Sequence, residues 1–250
     1  MKVSIITVCY NSGRTIEKTI KSVLLQTYAD IEYIVIDGNS NDNTVNIIKK
    51  YENFITKWIS EPDDGLYEAM NKGLKLATGD IVGILNSDDT FLDNQVVEKV
   101  ANFHCENGID ASVGNVIQVN SDGAILRRYT SKNWRPSKLR MGLMPPHPSI
   151  FLKRDLFSMH GNYYLDFVSC ADYELIVRFF LNSEIIWKYS EITTTSMLVG
   201  GISSSGVKSY IIISKEIKKA LDLNNIKYLH LLVLLRVLWK VHELFLRKFK

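Results

Sequence analysis

The amino-acid sequence predicts an α/β fold, Rossmann-like, with a mostly parallel sheet and helices on both faces, and three observations predict it. Four apolar runs, Val3 to Cys9, Glu32 to Ile36, Thr56 to Ser60 and Ile81 to Leu85, alternate with helical periods in the first part of the chain. The fourth run carries neither charge nor proline, the pattern of a strand covered on both faces. Three of the runs stop at acidic, turn-rich stretches: Asp37-Gly38-Asn39-Ser40, Asp63-Asp64-Gly65 and Asn86-Ser87-Asp88-Asp89. Open α/β sheets keep their ligands just beyond such carboxyl ends.

Taken in order, the first strand leads through Tyr10-Asn11-Ser12-Gly13 into a helix with Ile16, Ile20, Val23 and Leu24 on one face. The second strand ends in the polar run Asp37 to Thr44 and a short helix from Thr44 to Tyr51 follows. After the third strand, a helix buries Leu66, Met70, Leu74 and Ala77, with Gly73 allowing close approach to the sheet. Beyond the fourth strand the pattern loosens. Asn94 to His104 reads as a helix, and Ala111 to Val119 and Ala124 to Tyr129 as a hairpin around Asn120-Ser121-Asp122-Gly123. Trp134 to Pro148 holds four of the five prolines and reads as a loop. A strand from Ser149 to Leu152, helices at Arg154 to His160 and Asp172 to Leu181, and strands at Ile185 to Tyr189 and Ile192 to Leu198 complete this part. Gly200 to Gly206 reads as a loop, placed where a lid would close, and two helices finish the chain. The organisation expected is a domain over 1–207, with a ligand-binding half at 1–91 and a second half at 92–207, and a helical tail at 208–250.

With 46% hydrophobic and 23% charged residues the chain has the balance of an ordinary globular protein. Three cysteines, Cys9, Cys105 and Cys170, form no CxxC pair, which argues against a disulfide framework or a zinc site and for a reducing compartment. The amino terminus enters an apolar strand at once without a signal-peptide pattern, so a cytoplasmic location is expected. The net charge of +3 is unevenly spread: from Lys208 onward ten Lys/Arg face three Asp/Glu, whereas the preceding residues carry twenty against twenty-four. The basic charge is thus a property of the tail, and no nucleic-acid-binding signature accompanies it.

Acidic groups at the ends of adjacent parallel strands, about 5 Å apart, would line one edge and repel one another unless a cation or donors intervene. Oxygen ligands of this kind suit Mg2+ or Mn2+, and Mg2+ is commonly held by one or two carboxylates plus substrate phosphates. Asp37 can instead accept from a base or ribose donor. A nucleotidyltransferase would also place carboxylates here, but the glycine-rich phosphate loop it needs after the first strand is absent.

Four ordered segments, Ser4-Ile5-Ile6-Thr7-Val8-Cys9-Tyr10-Asn11-Ser12, Val35-Ile36-Asp37-Gly38, Asp64-Gly65-Leu66-Tyr67-Glu68-Ala69-Met70-Asn71-Lys72-Gly73 and Leu85-Asn86-Ser87-Asp88-Asp89, resemble the family 2 glycosyltransferases of the GT-A fold. The likeness is strong over Lys2 to Phe91 and extends weakly through Pro146-His147-Pro148-Ser149 and Ala171-Asp172-Tyr173-Glu174-Leu175. It leans toward bacterial members that build exopolysaccharide, colanic acid or O-antigen units. The resemblance implies that Asp37 hydrogen-bonds the donor base, that Thr7, Cys9 and Tyr10 pack around it, and that Asn11, Asp64, Asn71, Asn86 and Ser87 belong to the same nucleotide-sugar site. It implies a metal at Asp88, with Asp89 beside it, in the position of the DxD motif whose first residue is here Asn86. Asp172 matches the general base, although the glutamate that usually precedes it is Ala171, and an arginine frequent near the donor is replaced by Met70. Alone, Asp172 also reads as the cap of the helix it opens. His147 is a candidate contact to acceptor or phosphate.

The function so implied is inverting, metal-dependent transfer from a nucleotide-sugar to a hydroxyl of a polyprenyl-diphosphate-linked glycan, with Mn2+ or Mg2+ as cofactor. A degenerate nucleotide-sugar-binding assembly partner is the alternative. From Ile226 to Lys250 a dense apolar surface carries Arg236, Lys240, Glu243, Arg247 and Lys250 as one stripe, the pattern of an amphipathic helix on an anionic membrane surface. Its uncharged runs fall short of the ~20 residues of a membrane span. The tail is therefore expected to hold the protein peripherally on the inner face of the cell membrane; packing on the domain or on a second subunit in a homo-oligomer is the other reading.

Overall fold

The computed structural model describes residues 1–199, 206–231 and 233. The Gly200 to Ser205 loop and most of the tail helix expected from Ile226 onward lie outside them. By packing, the chain forms two compact units. The first comprises Met1–Asn133, Pro145–Asn162 and Ile185–Val199; the second comprises Trp134–Met144, Tyr163–Glu184 and the described residues from 206 onward.

The first unit is one nine-stranded sheet. Its strands are β1 (Val3–Cys9), β2 (Ile31–Asp37), β3 (Lys57–Ser60), β4 (Ile81–Ile84), β5 (Thr90–Phe91), β6 (Ala111–Val119), β7 (Ile125–Tyr129), β8 (Ile150–Lys153) and β9 (Trp187–Leu198). They lie in the order β3-β2-β1-β4-β8-β6-β9-β5, with β7 paired to β6. Strands β3, β2, β1 and β4 are mutually parallel; β4 meets β8 antiparallel, β8 meets β6 antiparallel, and β6 and β9 run parallel. The helices connecting them are α1 (Ile16–Leu24), α2 (Thr44–Lys50), α3 (Leu66–Leu76), α4 (Val96–Asn107) and α5 (Asp155–His160).

Alternation along β1 and β2 sorts the helices to the two faces. Val3, Ile5, Cys9, Tyr33 and Val35 join Ile16, Ile20 and Val23 of α1, Ile47 and Ile48 of α2, and Val96, Val97 and Val100 of α4 in one buried cluster. On the other face lies α3, so close that a Cβ at Gly73 would press into Ile6 and reach Ile36. Every residue of β1 is buried as a result, which is why the sequence shows an uncharged, mainly apolar run there.

At the amino-terminal edge of the sheet Glu32 is only 1% exposed. Its carboxylate accepts from the Ser4 hydroxyl at 2.6 Å, from the Thr78 N–H and hydroxyl at 2.6 and 2.8 Å, and from Lys57 Nζ at 3.1 Å. Ser4 in turn accepts the N–H of Gly79. One carboxylate thereby ties β1, β2, β3 and the turn into β4.

Among the described residues the expected strands and helices are present with small shifts, and three regions differ. The two strands read from Ile185 onward are one, β9, interrupted at Glu191, whose φ of 59° breaks the ladder locally. The proline-rich segment holds two 3-10 turns, Pro136–Met141 and His147–Ser149. The two-residue β5 has no periodicity to announce it.

The second unit contains α6 (Ala171–Leu181) and α7 (Gly206–Leu223). Trp134 packs edge-on against Phe180, and the Tyr173 hydroxyl donates to the carbonyl of Leu139. Glu174, fully buried, pairs with Arg178 through two bonds of 3.0 and 2.8 Å and accepts from Asn224 at 3.0 Å.

Two outcomes test this packing. Alanine inside a helix normally gains about 0.5–1 kcal/mol over glycine, yet Gly73→Ala is expected to lower the unfolding free energy by about 1–3 kcal/mol through overpacking on Ile6; a more stable variant in urea titrations would contradict the close approach. Burial pushes the Glu32 carboxyl up, but its donors outweigh that and hold it at about 2, below its ordinary 4.5. The unfolded chain then binds this proton more readily, so the stabilisation is complete above 4.5 and is lost as pH falls toward 2. Urea midpoints should decline over that window, while Glu32→Gln is less stable near neutrality and loses less on acidification. Parallel pH profiles would remove Glu32 as a source of acid sensitivity.

Candidate active site

The carboxyl ends of β1, β2 and β4 are stitched to one another by polar contacts between the loops that follow them. Asn11, with φ of 49°, donates its N–H to Ser40 Oγ at 2.8 Å and accepts the N–H of Asn41 on its side chain at 2.9 Å. The Ser12 N–H reaches Thr44 Oγ1 at 2.8 Å, and that of Gly13 reaches Asp42 at 2.9 Å. Ser12 and Ser87 share a hydroxyl–hydroxyl bond of 2.8 Å that brings the end of β1 to the end of β4. Thr19 of α1 donates to the Asp89 carbonyl at 2.7 Å.

Asp37 sits at the centre of this network with no exposed surface. Its carboxylate accepts the Ser40 N–H at 3.0 Å and hydroxyl at 2.5 Å, the Ser60 hydroxyl at 2.6 Å and the Cys9 thiol at 3.6 Å. Burial, and then the charge of Asp37, push the Cys9 thiol far up, so it stays protonated as a donor. Thr7 is buried too and accepts from the Tyr33 hydroxyl at 3.2 Å. Of the expected base-contact residues, only Tyr10, just past the end of β1, is open to solvent, at 60% exposure.

Asp64 is exposed and gives its N–H to Glu68 at 2.6 Å, whereas its neighbour Asp63 lies against Gly38, the turn that follows Asp37. Burial is the largest influence on the Asp63 carboxyl and raises it. Asp63, Ser40 and Ser60 are therefore the site-edge groups that the sequence reading did not single out. The pairing of Asp63 with Asp64 was its only trace. Asn71 is half-buried on α3, and His147 opens a 3-10 turn of the first unit.

The end of β4 differs from the end of β2. Asp89 is 4% exposed, and burial, followed by the charge of Asp88, lifts its carboxyl to about 7 in spite of bonds from the Leu198 N–H and the Asn86 amide. Burial raises Asp88 as well. The Asn86 Oδ1 is buried with no hydrogen-bond partner among the described residues. The groups here are hard oxygens, two carboxyls and an amide oxygen without a partner, and groups of that chemistry suit Mg2+ or Mn2+. Among the described residues no three His, Cys, Asp or Glu side chains converge to form a protein-only cage. A cation completed by donor phosphates needs none.

Asp172 belongs to the second unit. It is not the cap of α6: the helix begins at Ala171 and the cap position is Cys170, whose side chain makes no capping bond. Asp172 occupies the first turn and accepts the N–H of Tyr173 at 2.8 Å. Its charge raises the buried Tyr163 hydroxyl further, after the larger effect of burial.

The sequence profile of glycosyl transferase family 2 matches residues 4–157. An uncharacterized glycosyltransferase of Mycobacterium tuberculosis is 36% identical over 182 residues, covering 70% of this chain and 68% of the relative. A PGL/p-HBAD biosynthesis glycosyltransferase of Mycobacterium bovis is 28% identical over 245 residues, 94% of this chain and 90% of its own. Among solved structures, Staphylococcus aureus TarS 1–349 in complex with UDP-GlcNAc superposes with a TM-score of 0.71 at 19% identity, covering 93% of this chain and 69% of that one. A Pyrobaculum calidifontis mannosyltransferase in complex with GDP-Man and Mn2+ gives 0.62 at 17%, over 88% and 63%. The structural likenesses show the GT-A fold. With the profile spanning more than half of its length, the chain belongs to glycosyl transferase family 2.

Proposed function

We propose that the protein catalyses inverting, metal-dependent transfer of a sugar from a nucleotide-sugar to a hydroxyl of a polyprenyl-diphosphate-linked glycan during synthesis of a surface polysaccharide. The observation that carries this reading is the pair of adjacent carboxyls at the end of β4, Asp88 and Asp89, both raised by burial, with the unmet Asn86 oxygen beside them. The Mn2+ complex of the mannosyltransferase and the UDP-GlcNAc complex of TarS support the ion and the donor class, and the biosynthetic name of the M. bovis relative supports a glycoconjugate product.

Asp88 and Asp89 would hold the cation, which when bound supplies positive charge to a departing diphosphate. Asp37 acts from beneath, fixing the loop of Ser40 and Asn41 and, through it, the backbone at Asn11 and the exposed Tyr10 ring where a base would stack. Asp172 takes the proton of the attacking hydroxyl, and a single displacement inverts the anomeric carbon. A phosphate acceptor would need no such base, so a role for Asp172 favours a glycan hydroxyl. Work at the cytoplasmic face of the membrane is supported by the basic surplus from Lys208 onward and by the exposed apolar residues Ile211 and Ile212 on α7. No helix among the described residues is long and apolar enough to cross a membrane.

A panel of UDP-, GDP- and dTDP-sugars with Mn2+, read by thermal shift and then by turnover, identifies the donor. With it, Asp88→Asn is expected to lose the Mn2+-dependent part of the nucleotide-sugar shift and most turnover. Asp172→Asn should retain the shift while kcat drops by about 10²–10⁴-fold. Wild-type turnover in both variants would overturn the scheme, and donor-induced stabilisation without turnover would favour a non-catalytic partner instead.

A further inference from the structure

Helix α7, a tail by sequence position, fastens the segment that leads into α6. Glu216, 9% exposed, accepts the N–H of Val168 on one carboxylate oxygen at 2.7 Å and that of Ser169 on the other at 2.9 Å. Lys219 donates to the Asp166 carbonyl at 2.8 Å and stands 4.6 Å from the centre of the Phe167 ring. The Cys170 thiol lies 3.8 Å from the Ile213 carbonyl, and at the end of the helix Asn224 holds Glu174. Asp166, Val168, Ser169 and Cys170 are thus all held by groups of one helix, and Asp172 follows two residues later.

Phe167 and Cys170 anchor this segment by burial, but between them Val168 is 81% exposed, and Leu165 before them 58%. The backbone at Val168 and Ser169 is therefore held by its polar bonds, and bonds to a carboxylate are among the stronger ones. Placing a carboxylate out of water is costly unless its oxygens are bonded, so Glu216 and the two amides constrain each other.

We infer that Glu216 is a positioning residue for Asp172: by gripping the Val168 and Ser169 amides it fixes where α6 begins and so where the Asp172 carboxylate stands. The inference rests on the reading of Asp172 as the base. It extends the working site well past residue 157, where the family profile ends, into a helix that the sequence assigned to the tail.

The test uses the full-length chain and the donor that turns over in the panel. A misplacement of the order of 1 Å costs about 10²-fold. Glu216→Ala should therefore lower kcat about that much, and Glu216→Gln, which keeps one acceptor oxygen, by less, with the donor KM and the donor-induced thermal shift unchanged. Amide exchange in peptides covering 163–171 should quicken in both. In the Asp172→Asn background Glu216→Gln should cause no further loss, because the group it positions is gone. An equal loss in both backgrounds would make Glu216 merely structural and overturn the inference, as would unchanged kcat in Glu216→Gln while Asp172→Asn is impaired. Wild-type kcat in Asp172→Asn would overturn the base assignment alone, and the exchange data would still report the grip. If Glu216→Ala does not fold, Glu216→Gln decides.

Discussion

The Asp37 carboxylate is the constraint on which the edge of the sheet depends. It is fully buried, yet an ionised carboxylate out of water is tolerated only when its oxygens are bonded. The chain meets that demand with donors from the ends of β1 and β3 and from the loop after β2. Satisfying one residue therefore draws three chain segments together, and the second bond made by Ser40, to the N–H of Asn11, carries the constraint to the β1 loop. Ser12 and Ser87 pass it on to β4. The arrangement of the loops at this edge follows from this electrostatic requirement as much as from the fold class.

Strand β2 carries the same device at both ends, and the comparison separates scaffold from chemistry. Glu32 at its start and Asp37 at its end have their oxygens filled by protein donors, and Glu32 is held at about 2. Asp89, equally hidden, has too few donors and a charged neighbour, and is lifted to about 7. A buried carboxylate with its needs met stabilises the fold; one left short is available to a ligand that brings positive charge. By that criterion the acidic residues at the strand ends divide, although the sequence presents them as one series.

The parallel strands were legible because burial on both faces leaves uncharged, mainly apolar runs, as in Val3 to Cys9 and Ile81 to Leu85. The single strand β9 was not, because Ser190 and Glu191 interrupt its pattern while the ladder with β6 continues across a register shift. The second unit could not be read as a unit, since it gathers separate stretches of chain. At the site, the acidic strand ends could be located from turn chemistry, but not which of them were satisfied. Their partners are remote in sequence: 23 residues separate Ser60 from Asp37, and 75 separate Ser87 from Ser12. The two aspartates Asp63 and Asp64 show the same limit, because only the approach of Asp63 to Gly38 distinguishes them.

Two departures from the family pattern take on physical sense in this frame. Met70, where an arginine is frequent, is 1% exposed on the inner side of α3, and a guanidinium there would have to be buried without evident compensation. Asn86, in the first position of the DxD motif, is a neutral amide whose influence on Asp89 is to lower it. An aspartate in its place could not donate to Asp89 when ionised, and would add a third negative charge beside a carboxyl already raised by burial and by Asp88. The amide keeps an oxygen acceptor there without adding that charge. The substitution therefore lowers the charge that must be neutralised at the end of β4 without removing an oxygen from it.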